Sequence, residues 1–508
     1  MFFPKLTAPP QQRVTADRFL GLDRRAGSAM GGMQDMENLW AGGYPALETR
    51  PARGTVAAVK APGGLVCRDA PVWVDGTALY VNGVRTGLTL TEGDKQLVSM
   101  GAYLLIWPDK KFINTQELTE FGGLENRTVT TGEVTISLCR SSGEALGSYS
   151  IGEEAPASPG TGTSWLEVED VCTRAASAGI GRGFRAGDGV TVEGCETEGV
   201  DGLHVLQAAD DDWIVLPVMC RTVGSQTAAV TVKRAVPDMD FVAEQGNRLW
   251  GCKYGIVNGE AVNEIYASKL GDFRNWNSFA GLSTDSYAAS RGSDGVFTGA
   301  AACMGGVIFF KEDCMERVYP SAAGAHQIVT VRCPGIRKGC GGSAALVDGT
   351  LFYVGVNGVY AFDGSMPSCV SQPLGSVRYA GAAAAGWNGQ YWLAARDEAG
   401  GRHVLVYDTA HGLWHRQDDA DIMAFAVCGG ALYGLTRSGA LLDLTGGSGE
   451  PEETVRWMAE TGELGLSAPD SKYLTRLELR VQPERRARLE ALVSYDGGRR
   501  WEKLGEVI

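Results

Sequence analysis

Short apolar runs punctuated by Gly, Asp and Asn recur along most of this chain, and their spacing predicts β-strands. From residue 65 the pattern becomes periodic. In VWVDGTALYVNGVRTGL (72–88) the pairs Asp75-Gly76 and Asn82-Gly83 both read as two-residue hairpin turns, because Asx-Gly readily takes the positive φ angles of a type I′ turn. Two such turns seven residues apart fit a meander of short antiparallel strands. A second unit follows in QLVSMGAYLLIWPDKKFINT (96–115), with Tyr103 to Trp107 as its buried strand.

Later units begin near Gly299, Gly342, Gly381 and Ile422, about 40 residues apart, which is the period of a four-stranded propeller blade. Asp348-Gly349, Asn357-Gly358 and Asp363-Gly364 punctuate one of them as the earlier pairs punctuate the first. With the two early units the count comes to about seven. The expected fold is therefore all-β: a roughly seven-bladed β-propeller with an inserted β-domain and a C-terminal β-sandwich-like module.

The expected division follows composition. Residues 1–60 read as an extended arm, broken by Pro4, Pro9 and Pro10 and holding Leu39, Trp40, Tyr44 and Leu47 as its few anchors. Such an arm either completes a sheet of its own chain or reaches a neighbour's. Residues 61–125 are the first blades, and 126–238 an inserted β-domain with its own strand signals, such as EVTISLCR, SWLEVEDV and AAVTVKRAV, and a spacer, GEEAPASPGTGTS. The remaining blades take 239–445. Residues 446–508 open on a linker, GGSGEPEE, and then KYLTRLELRVQ and LEALVSYDGGRRW alternate as the two arms of a hairpin.

One stretch departs from the strand-and-turn rhythm. Residues 263–295, NEIYASKLGDFRNWNSFAGLSTDSYAASRGSDG, hold Phe273, Trp276, Phe279 and Tyr287 in a turn-rich run with few ladder hydrogen bonds to fix it. Phe273 and Trp276 are expected to pack a crossing between strands. The more polar GLSTDSYAASRGSDG half is expected to meet a partner, so that Tyr287→Ala spares the monomer.

Composition narrows the chemistry. Seventy glycines in 508 residues is about twice the usual ~7 % and favours many tight turns. A formal net charge of −14 opposes free nucleic-acid binding, which Lys and Arg must drive, but suits a wall that lets DNA pass without gripping it. Twelve cysteines lack any CxxC, and pairs such as Cys303/Cys314 and Cys333/Cys340 lack the partners of a zinc site, so buried free thiols in a reducing cytosol are expected. The N-terminus has no apolar signal core, and no window approaches ~18 apolar residues; neither a secretion signal nor a membrane span is indicated.

Candidate chemistry is sparse. A propeller hydrolase acting on acidic sugars needs paired carboxylates or a Tyr nucleophile with an arginine cluster. Asp210, Asp211 and Asp212, and likewise Asp418, Asp419 and Asp421, read as solvated turns. His411 and His415 have i, i+4 spacing but lie in a strand-turn context without a glutamate motif, so they are not expected to converge on a metal. Ser494 to Trp501 has the SxDxGxxW form of an Asp-box, a structural hairpin turn with its Trp packed beneath, and ERRAR at 484–488 reads as an exposed hairpin tip. No catalytic, cofactor-binding or metal residue is nominated, and no cofactor is expected.

The segments FLGLD (19–23), DMENLWAGGYPALETRPAR (35–53), PDMDFVAEQGNRLWGC (237–252), EIYASKLGDFRNWNSFAGLSTDSYAASRGSDGVFTG (264–299), VIFFKEDCMERVYP (307–320) and LFYVGVNGVYAFDG (351–364) together resemble a family of tailed-bacteriophage neck and tail propeller proteins. These are similar to podovirus tail nozzles and to head-to-tail stoppers or stabilisation proteins of gut phages. The resemblance implies a non-enzymatic structural virion protein, assembled in the host bacterial cytoplasm as a ring, with six copies as the implied number. Its implied partners are identical subunits, portal/adaptor or tail-tube proteins, and genomic DNA passing through the channel without sequence-specific binding, with no membrane. The alternative is a glycan-binding or glycan-cleaving propeller, such as a receptor-binding tail component.

Overall fold

The computed structural model describes residues 13–146, 170–464, 475–483 and 487–507. The spacer at 152–164, most of SWLEVEDV and part of the 484–488 tip lie outside the described residues. Seven antiparallel sheets follow one another as propeller blades. The first runs from Pro62–Cys67 to Val84–Thr89 and the second from Gln96–Met100 to Phe121–Gly123. The third runs from Phe241–Glu244 to Tyr287–Ser290, the fourth from Gly299–Cys303 to Gln327–Arg332, and the fifth from Ala345–Val347 to Ser368–Cys369. The sixth spans Tyr379–Trp387 to Leu413–Arg416.

Turn chemistry follows two of the Asx-Gly pairs, Asn82-Gly83 and Asp348-Gly349, whereas at Asp75-Gly76 only Gly76 has a positive φ, 57°, and Asp75 ends its strand opposite Ala78. Asn82 and Gly83 have φ of 51° and 76°, the two positive values that a type I′ turn requires. Between blades the inward-facing alternate residues fuse into continuous apolar seams. Val72, Leu79, Leu104, Ile106 and Ile113 fill the first, and Trp392, Val404, Val406, Ile422 and Leu432 fill that between blades six and seven.

The seventh blade closes the ring. Its strands Ile422–Cys428, Ala431–Thr436 and Ala440–Asp443 come from late in the chain, and its fourth, Gly54–Ala58, comes from the arm, with Gly54 opposite Asp443 and Ala58 opposite Ala440. The inner strands of blades seven and one adjoin, and there Cys67 and Cys428 form a disulfide, Cα–Cα 5.5 Å. This corrects the expectation of free thiols throughout. The other ten cysteines are free, and eight of them are buried.

The arm holds far more core than its sparse anchors suggest. Phe19, Leu22, Met36, Leu39 and Ala41 are buried among Leu374, Tyr379, Leu405 and Trp414 of blades five and six and the link joining them. The Leu22 N–H donates to Trp414 O and the Asn38 N–H to Gln417 O. Met33–Glu37 also pairs with Met458–Thr461, so the chain beyond the seventh blade doubles back on the arm.

The insertion between blades two and three is a two-sheet unit. One sheet contains Asn126–Val129, Thr231–Arg234, Gly189–Glu193 and Gly202–Val205; the other is ordered around Cys172–Ala176 and Val134–Cys139. Val134, Ile136, Val190, Val192, Ile214, Leu216 and Val232 form its own core.

Beyond 464 the described chain contains a hairpin, Leu489–Val493 with Glu502–Val507, while 475–483 pairs with no described strand. The first three residues of KYLTRLELRVQ lie outside the described residues, and the rest does not form the expected pairing with LEALV. No helix among the described residues is long and apolar enough to cross a membrane.

Candidate assembly surface

The crossing of blade three, residues 268–286, is pinned from inside the protein. Phe273 and Trp276 are buried, Phe273 against Tyr103 and Phe112 at ring distances of 5.0 and 5.5 Å, and Trp276 against Trp107 at 6.4 Å. They seal the seam between blades two and three, as expected for packed aromatics. Trp276→Ala should cost about 3–5 kcal/mol of stability, read as a lower midpoint in chemical denaturation; an unchanged midpoint would refute the seam.

The polar residues between these rings grip the inserted domain. Asn275 Nδ2 donates to Gly187 O at 2.6 Å, Lys269 Nζ donates to the same carbonyl at 3.0 Å, and the Gly189 N–H donates to Asn275 Oδ1. Gly189 tolerates no side chain here, because a Cβ would lie 2.1 Å from Asn277 O. Just behind, Arg234 and Asp188 form a buried ion pair at 2.5 Å, and burial raises the Asp188 carboxyl against the pull of Arg234. The half of the crossing from Lys269 to Asn277 is therefore covered by the chain's own insertion.

The rest of the crossing faces outward but is equally fixed. Arg248 is buried and its guanidinium donates to three carbonyls, Ser268 O, Asp285 O and Ser283 O, at 2.6–2.8 Å. Burial lowers its pKa, against the opposing pull of the Asp285 carboxylate. Asp285 in turn accepts the N–H groups of Gly281 and Leu282 at 2.7 and 3.0 Å. This frame holds Phe279 and Leu282 in solvent at 48 % and 63 % exposure, with Leu270 nearby in sequence also exposed. Sequence reading passes over Arg248; its one signal is a lone cation inside an otherwise apolar strand start, NRLW.

Tyr287 does not behave as expected. Its ring packs against His326 at 5.0 Å and Trp250 at 6.2 Å, so it belongs to the seam between blades three and four, and Tyr287→Ala would touch the fold itself.

The other candidates resolve into structural clasps. Asp418 pairs with Arg53 at 2.5 Å, and Glu452 with Arg50 at 2.6 Å; both arginines are buried, and burial lowers the Arg53 pKa. Asp421 pairs with Arg396 at 2.8 Å. These two acids fasten the arm and blade six rather than sitting in a solvated turn. Asp210, Asp211 and Asp212 are exposed in a turn of the insertion. His411 pairs with Asp408 and stacks on Tyr44 at 4.0 Å, whereas His415 is fully buried. No cluster of three or more His, Cys, Asp or Glu among the described residues could hold a metal.

Burial pushes the His415 pKa down to about 4. An unfolded His binds its proton near ~6.5, so between there and about 4 the unfolded chain holds one proton more than the folded chain. Stability from this group is complete above that window and falls as pH drops through it, by about 3 kcal/mol in total. His415→Leu should flatten the decline in denaturation midpoint between pH 6.5 and 4; an identical slope in both proteins would refute it.

Ser494 to Trp501 does fold as an Asp-box. Ser494 Oγ donates to Asp496 Oδ1, the Gly498 N–H donates to Ser494 Oγ, and the Arg500 N–H donates to Asp496 Oδ1. Its Trp501 is exposed, however, rather than packed beneath the turn.

The seven inner strands are nearly bare of charge: PGGLVC, QLVSM, FVAE, GAAAC, ALV, YAGAAAAGW and IMAFAVC carry one carboxylate, Glu244, and no Lys or Arg. A shallow cavity of about 280 Å³ lies between blades four and five, lined by Glu312, Asp313 and Tyr360. Asp313 is engaged by Arg332 at 2.5 Å and Glu312 accepts the Lys338 N–H.

No family model matches the chain, and no curated protein matches it in sequence. Among solved structures, it is similar to BamB from Moraxella catarrhalis at 10% identity and a TM-score of 0.23, covering 53% of this chain and 78% of that one. It is also similar to the phage phi92 endosialidase at 10% identity and a TM-score of 0.27, covering 93% of this chain and 78% of that one.

Proposed function

We propose that this chain is a structural virion protein of a tailed bacteriophage, forming a ring in the neck or tail that encloses the path of the genome. The observation that carries the reading is the rigidly framed apolar tip at Phe279 and Leu282. An exposed apolar pair on a mobile loop would be unremarkable surface, but here a buried arginine holds the loop in shape, and rigid exposed apolar groups are what an interface uses. The chain-wide family resemblance is densest at the same crossing. The nearly uncharged inner strands support a scaffold over a hydrolase, since acid–base chemistry on a sugar needs two carboxylates there. A net charge of −14 suits a wall that does not hold DNA.

In this reading, identical subunits, six by the family resemblance, meet through the crossing, and portal or tube proteins cap the ring. Light scattering on the purified chain and electron microscopy should show closed rings. The double variant Phe279→Asp, Leu282→Asp should give monomers with an unchanged melting temperature. A wild-type monomer that binds or cleaves glycan at its central opening would overturn the proposal in favour of a glycan-active propeller.

A further inference from the structure

An isolated two-stranded hairpin is marginal in water, and three strands with an apolar face are needed before a sheet of this kind stands alone. The hairpin of Leu489–Val493 and Glu502–Val507 is such a pair. Close by in sequence, residues 475–483 alternate as a strand does, with Leu477, Leu479 and Val481 on one side and Arg476, Glu478 and Arg480 on the other. Among the described residues they pair with no strand, and those three apolar residues are 49–57 % exposed. A strand pattern without a sheet and a sheet short of a strand occur within one module.

We propose that residues 475–483 of one subunit add as a third strand along Leu489–Val493 of a second copy of this chain, completing each C-terminal module by strand exchange. This rests on the ring proposed above and specifies one of its contacts. Side-chain period and charge both match. Leu477, Leu479 and Val481 would continue the apolar side formed by Leu489, Ala491 and Val493. On the other side Glu490 and Glu506 sit directly opposite one another in register, a like-charge pair offset only by Arg488 and Lys503. Arg476 and Arg480 bring the opposite charge to that side, the favourable cross-strand arrangement.

The segment's placement favours exchange over pairing within one chain. Glu478 lies 4.0 Å from Arg13 of the arm, and the strand does not fold back on its own hairpin. Pro483 ends it, since a proline cannot donate to a ladder. Donation from each subunit to the next is a head-to-tail contact, which closes into a ring when the rotation allows.

The test uses full-length chains. Leu479→Cys with one affinity tag and Ala491→Cys with another are co-expressed, assembled and mildly oxidised. A cross-linked species carrying both tags, absent when either variant is paired with wild type, is the expected result. Cross-linking confined to a chain bearing both substitutions, or seen in neither arrangement, would overturn the exchange. A second variant, Leu479→Asp, should lose rings at an unchanged melting temperature. Rings that survive it would overturn the exchange while leaving the ring itself standing, whereas a wild-type chain that stays monomeric would overturn the ring.

Discussion

A chain lacking residues 1–45 should fail to fold cooperatively. The sequence reads as an extended arm with few anchors, but the arm buries Phe19, Leu22, Met36 and Leu39 in the core of blades five and six. Truncating one such side chain to alanine typically costs about 2–5 kcal/mol, so four of them together are as large as the roughly 5–15 kcal/mol that holds a domain folded. The deletion also removes Met33–Glu37, the partner of Met458–Thr461. The expected observation is insoluble protein, or soluble protein without a sharp calorimetric transition. A truncated chain that melts like the full one would show that these contacts are dispensable.

Breaking the Cys67–Cys428 disulfide should produce the next largest effect. The bond joins positions 361 residues apart, and closing so long a loop restricts the unfolded chain by about 6 kcal/mol in the chain-entropy account. It also ties together the two inner strands where blades seven and one meet, beside the closure made by Gly54–Ala58. Cys67→Ser and Cys428→Ser should each lower the melting temperature by similar amounts, and a reductant should lower the wild type to the same value while leaving either variant unchanged. Alkylation followed by mass spectrometry should find both thiols blocked in the oxidised protein. Two freely alkylated thiols at these positions, with no stability difference, would refute the cross-link.

What the sequence makes legible is local. Asn82-Gly83 and Asp348-Gly349 announce their turns because a two-residue hairpin leaves few alternatives, and short apolar runs such as TLFYVG or QYWLAARD mark strands without knowledge of their neighbours. Blade number follows from those signals. The arm's burial does not, since Phe19, Leu22, Met36 and Leu39 share no period and lie among Gly and Arg residues. Asp418 and Asp421 are visible as acids, but their arginines are remote in sequence or on another strand, so solvated turn and buried clasp look alike until folded. Cys67 and Cys428 belong to no spacing motif. Tyr287 reads as polar-loop surface because its partners, Trp250 and His326, arrive from two different blades. Among the candidate surfaces, the aromatic crossing was visible and the arginine that stiffens it was not.

Closure by the strand Gly54–Ala58 also sets a schedule for synthesis. The ~390 residues that separate Gly54 from its partner Asp443 take on the order of 20–80 s to translate at ~5–20 residues per second. Throughout that interval the early strand has no ladder to join, and for most of it the arm's apolar side chains lack the blades five and six that cover them. A ribosome that stops anywhere before residue 443 releases a chain with an open seam. The closing strand therefore acts as proofreading at the level of length: only a chain translated through its seventh blade can close its ring of blades.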